Sequence, residues 1–125
     1  MKPRDTALRL KRFEANEKAR KLASLETMIV DFEHMAIDLA RQIAAEEERT
    51  GIKDPAHFAY STFAKAAAQR RANLQTSVAD LKVKLDIARR EHEEALMELR
   101  KLEPIEPRDH DRSLRKSDRS SAVIG

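Results

Sequence analysis

Apolar residues recur at a strict seven-residue step in two long stretches of the chain. The first runs Leu8, Ala15, Leu22, Ile29, Ala36 and Ile43, with Leu25, Phe32 and Leu39 three residues after members of the series. The second runs Ala67, Leu74, Leu81, Ala88, Ala95 and Leu102, with Val78, Leu85 and Leu99 four residues on. Apolar residues at two positions of every heptad make the seam of a coiled coil. When the chain folds back near Lys53, positions whose numbers sum to 106 or 107 meet, so that each of the two seam positions of the heptad faces its own kind. Ile29 then faces Val78, Phe32 faces Leu74, Leu25 faces Leu81, Leu22 faces Leu85 and Leu8 faces Leu99. The polar intruders in the seam each meet a small residue: Lys11 with Ala95, Lys18 with Ala88, Arg71 with Ala36 and His92 with Ala15. The pattern predicts an all-α fold, a long antiparallel two-helix coiled-coil hairpin.

Punctuation sets the expected boundaries. Asp5 or Thr6, just after Pro3, can cap the first helix, and Gly51 can supply its left-handed C-cap. Asp54-Pro55 is a start signal for the second helix, with Ser61-Thr62 as a further candidate cap that would make 55–61 a separate turn. Pro104 and Pro107 stop the second helix near Glu103. The expected layout is a hairpin over 1–103, with helices over 5–49 and 56–103, a turn over 50–55, and a disordered tail over 104–125 rich in Arg, Asp and Ser.

Charge changes the picture from seam to topology. Residues 1–21 carry net +5, 22–54 net −5, 55–85 net +4 and 86–103 net −2. In the hairpin each basic block lies beside an acidic one, whereas a parallel in-register dimer would set like against like. The expectation is a monomer. Aromatics are scarce, four Phe, one Tyr and no Trp, which suits a thin seam better than a globular core.

Candidate chemistry is sparse. The sequence holds no glycine-rich phosphate loop, no nucleophile elbow and no cysteine, so neither thiol chemistry nor a Cys-based zinc site is expected. His34 with Asp31 and Asp38 has helical spacing for a weak cation site, but reads better as a solvated face. Two bare helices enclose no dry pocket for electrostatic catalysis, so we expect no enzyme activity, no cofactor and no metal. The charged N-terminal run lacks the apolar stretch of a secretory signal, and no apolar run approaches the roughly 20 residues of a membrane span. A cytoplasmic protein without direct membrane insertion is expected. The basic N-terminal run has cations enough for nucleic acid but only Phe13 among them for stacking, so no nucleic acid is expected as partner.

Phe58, Tyr60 and Phe63 cluster within six residues after the turn. Phe63 can face Ile43 and close the core, and the group reads either as an aromatic plug at the tip or as an exposed docking patch rimmed by Arg70 and Arg71.

The opening MKPRDTALRLKRFEANEKARKLASLE and the post-turn KDPAHFAYSTFAKAAAQRRANL resemble the flagellar export protein family FliJ, over roughly residues 1–103. The resemblance implies an antiparallel coiled coil similar to the central stalk of rotary ATPases. It implies a cytoplasmic component of the flagellar type III export apparatus, peripherally associated with the inner membrane. The implied partners are the export ATPase FliI, the membrane gate protein FlhA and export chaperones. The family's gate-contacting surface, an aromatic followed by apolar residues at helical spacing, matches Phe63, with the smaller Ala67 one turn on. Phe58, Tyr60 and Arg70 complete the implied gate surface. By analogy with the stalk, the open end would enter the ATPase ring through Arg4, Arg9, Lys11, Arg12, Lys18, Arg20, Arg100 and Lys101. A generic coiled-coil scaffold unrelated to secretion is the alternative that the heptads alone support.

Overall fold

The computed structural model describes residues 3–103. Two helices make up nearly all of it: α1, Pro3–Thr50, and α2, Thr62–Leu102, packed against each other. At 1.5 Å per residue, α1 is roughly 70 Å long and α2 roughly 60 Å. The tail expected over 104–125 lies outside the described residues.

Their packing follows the heptad seam. The central cluster joins Leu25 and Ile29 of α1 to Val78, Leu81, Leu85 and Ala88 of α2, with Leu22 and Phe32 packed against it. Ala15, Ala36 and Leu39 on α1 and Ala64 and Ala67 on α2 extend the buried line. No polar or charged residue among those described is buried. The seam is one side chain thick, so each large member carries a large share of the apolar burial that holds the helices together.

Cross-helix ion pairs follow the charge blocks. Lys18 and Lys21 of the first basic block reach Glu91 at 3.0 and 4.0 Å, and Arg12 reaches Glu103 at 3.1 Å. Lys82 of the second basic block reaches Glu33 of the acidic stretch of α1 at 3.6 Å. These pairs lie at the surface, Lys18–Glu91 part-buried among them, and are worth about 0–1 kcal/mol each, so they select the antiparallel register more than they stabilise it.

Both helix starts differ from the sequence expectation. α1 begins at Pro3, whose missing N–H costs nothing in a first turn, and Asp5 lies inside that turn where its charge complements the dipole. α2 begins six residues later than Asp54-Pro55 suggested. Its cap is Ser61, whose hydroxyl accepts from the Ala64 N–H at 3.2 Å. Asp54 instead closes a turn, with Oδ1 accepting from Ala56 N–H at 2.9 Å and the backbone oxygen from His57 N–H at 3.0 Å. The reason is geometric. α1 stops at Thr50, so in this register residues before about 57 have no opposing helix to bury against, and residues 57–60 are closed into a turn of their own by the Tyr60 N–H on the His57 carbonyl. A helix there would gain no seam, so local turn chemistry prevails.

Gly51 ends α1 as expected, at φ 76°, with its N–H bonded to the Glu47 carbonyl at 2.9 Å. Glu46, Glu47 and Glu48 oppose the dipole there, and each has a partner: Arg49, the Tyr60 hydroxyl and Lys53 respectively.

Candidate functional site: the two ends of the hairpin

The closed end is built from the connection between the helices. A second turn follows the Asp54 turn, with Tyr60 N–H bonded to the His57 carbonyl at 3.0 Å and His57 Nδ1 accepting from Ala59 N–H at 3.0 Å. This tight double turn projects Phe58 into solvent, 97% exposed, with only the His57 ring stacked on it at 4.7 Å. Phe63, on the first turn of α2, is 54% exposed. Arg70 is exposed seven residues on, two helical turns along the same face, roughly 10 Å away.

Tyr60 behaves differently from its neighbours. It is half-buried, and its hydroxyl donates to Glu47 Oε2 at 3.0 Å, tying the start of α2 to the end of α1. The three aromatics therefore differ: Tyr60 closes the tip, while Phe58 and Phe63 stay exposed.

Two expected placements are corrected. Phe63 does not fill the core opposite Ile43. Stepping the seam back from Ala67 lands on Ala64, which is 0% exposed, and Phe63 sits about 100° around the helix from it. Ala67 is itself 4% exposed, so it belongs to the seam and offers no surface to a partner. His57, stacked on Phe58, is the member of the tip that the sequence reading passed over. Its position next to Phe58 was the available signal.

Burial and then the hydrogen bond to Glu47 raise the Tyr60 hydroxyl above its ordinary pKa of 10.0. A group whose folded pKa is raised stabilises the fold below its unfolded pKa, and that contribution is lost as pH rises through the folded value. The tip should therefore loosen above about pH 10. Tyr60→Phe should remove that alkaline loss at the tip, measured by amide exchange of residues 51–61. An unchanged alkaline profile in the variant would contradict this assignment.

The open end is cationic, but its charges are not equivalent. Lys11 pairs with Glu14, Arg20 with Glu17 and Lys101 with Glu98 on their own helices, while Arg12 and Lys18 pair across the hairpin. Lys18, by hydrogen bond and charge, and then Lys21 hold the Glu91 carboxyl below the usual carboxylate range. Arg4, Arg9 and Arg100 are exposed and make no ion pair among the described residues. These three present charge least compensated by the hairpin itself.

Among the described residues no group of three or more His, Cys, Asp or Glu side chains comes together to hold a metal ion, and His34 with Asp38 lines only a shallow surface hollow. No helix among them is long and apolar enough to cross a membrane. Comparison of the chain with protein-family models, with curated proteins and with solved structures found no match.

Proposed function

We propose that this chain is a non-enzymatic, stalk-like component of the flagellar type III export apparatus, acting as a monomer. In this role it promotes the export ATPase FliI and couples it to the gate protein FlhA and to export chaperones, from the cytoplasmic side of the inner membrane. The observation that carries the proposal is the separation of two chemically distinct ends on one slender rod. One end offers Phe58 and Phe63 to solvent, and the other offers Arg4, Arg9 and Arg100. Exposed aromatics are favoured anchors for protein partners, since the apolar face they bury on docking is otherwise left against water. A cationic rod end suits an acidic ring lumen, where steering charges hold without a fixed lock. The FliJ-like segments 1–26 and 53–74 contribute to both ends.

Adding the full chain to the purified export ATPase should raise its turnover and shift it toward the ring in sedimentation. Unchanged turnover together with no co-sedimentation would leave the generic scaffold as the better account.

A further inference from the structure

One flank of the hairpin, between residues 33–44 of α1 and 71–82 of α2, is hollowed into an open groove of about 560 Å³. We propose that this groove is a docking site for an amphipathic helix of a partner protein, one that turns a carboxylate toward Arg71. The groove lies in the half of the rod nearer the closed end, beyond the first turns of α2, and the proposal stands on its geometry without the flagellar assignment.

The hollow has a sequence cause. Arg71 occupies a seam position, and the residue opposite is Ala36. A small residue makes room for the guanidinium stem but fills little of the flank beyond it. Ala40 follows on the same edge, so the floor is buried Ala36 and Val78 while Ile37 stands at the rim, 49% exposed. An exposed Ile beside an open apolar trough is surface that only a partner can cover.

Charge selects the occupant. The carboxylates around the groove are already engaged, Glu33 with Lys82 at 3.6 Å and Asp38 with Arg41 at 3.9 Å. Arg71, which lines the groove, makes no ion pair among the described residues, and its Nε finds no hydrogen-bond acceptor among them. A guanidinium presents five N–H donors and no acceptor, so the groove holds one cation without a carboxylate partner beside apolar walls. The complementary surface is an apolar stripe with one acidic residue in it. A helix fits and a strand does not, because both walls are helices with no free backbone edge to extend. The length of wall, roughly 17 Å, matches three turns of a docked helix.

The test uses the full chain and a fluorescent synthetic helical peptide of about twenty residues, with apolar side chains at i, i+3, i+4 and i+7 and a central Glu. Twin peptides carry Gln or Lys in place of that Glu. The Glu peptide should bind saturably, and the Gln twin about tenfold more weakly. Arg71→Met should erase the difference between the Glu and Gln peptides, and Ile37→Glu should weaken binding of both. Ile37 is a rim residue, so its variant should keep full helicity; if Arg71→Met unfolds, the twin peptides on the unsubstituted chain decide alone. The proposal is overturned if the Glu peptide does not saturate, if Glu and Gln peptides bind equally, or if Ile37→Glu leaves affinity unchanged. It is also overturned if the chain alone sediments as a dimer that Ile37→Glu dissolves, since a second copy would then be the occupant.

Discussion

Leu81→Ala should destabilise the hairpin by roughly 2–4 kcal/mol, the cost of emptying a well-buried leucine site. Leu81 is 7% exposed and sits among Leu25, Ile29, Val78, Leu85 and Ala88. A globular core can relax into a void from several sides, but this seam has neighbours only along its length and across one interface. Domains of ordinary stability have about 5–15 kcal/mol in all, so the loss is a large fraction of what holds the helices together. Lys18→Ala is the matched control. Lys18 occupies a seam position too, yet its ammonium lies outside against Glu91 at 3.0 Å, with 41% of the side chain exposed. Removing it costs the surface pair and some stem contact, about 0–1 kcal/mol. Urea unfolding followed by circular dichroism should show the two midpoints well separated. Equal losses would mean that the seam does not run through Leu81.

That contrast was legible in the sequence because the heptad period and the fold-back point together fix every seam pair. The same period would have placed Ala64 opposite Ile43, had it been followed one step further back. Phe63 drew the assignment because a large aromatic looks like a core residue, whereas at the tip the helices leave room only for alanine. The start of α2 was harder to see. Asp54-Pro55 and Ser61-Thr62 are locally comparable caps, and the choice between them depends on where α1 ends, a property of the pair of helices. The groove was hidden for a related reason. Sequence shows that Ala36 can accommodate Arg71, but only coordinates show that nothing within the described residues fills the flank or satisfies the buried Nε.

The ends of the rod can be tested separately, and the structure determines which residues to change. Tyr60 is unsuitable at the aromatic end, because its bond to Glu47 ties the two helices together. Phe58→Ala with Phe63→Ala removes the exposed rings and leaves that tie and the Ala64 seam in place. At the open end, Arg12 and Lys18 are unsuitable because they bridge the helices. Arg9→Glu with Arg100→Glu reverses exposed charge without breaking a cross-helix pair among the described residues. The aromatic double variant should lose most of its binding to the gate protein, by tenfold or more for anchors each worth at least about 1–2 kcal/mol, and keep ATPase stimulation. The charge-reversed variant should do the opposite. Its defect should be largest at low ionic strength, where screening between exposed charges is weakest. Both variants should match the parent in helicity, which separates a lost contact from a lost fold. Folded variants that each lose both activities to the same extent would show that the two ends do not act as independent surfaces, and the stalk model would fall with them.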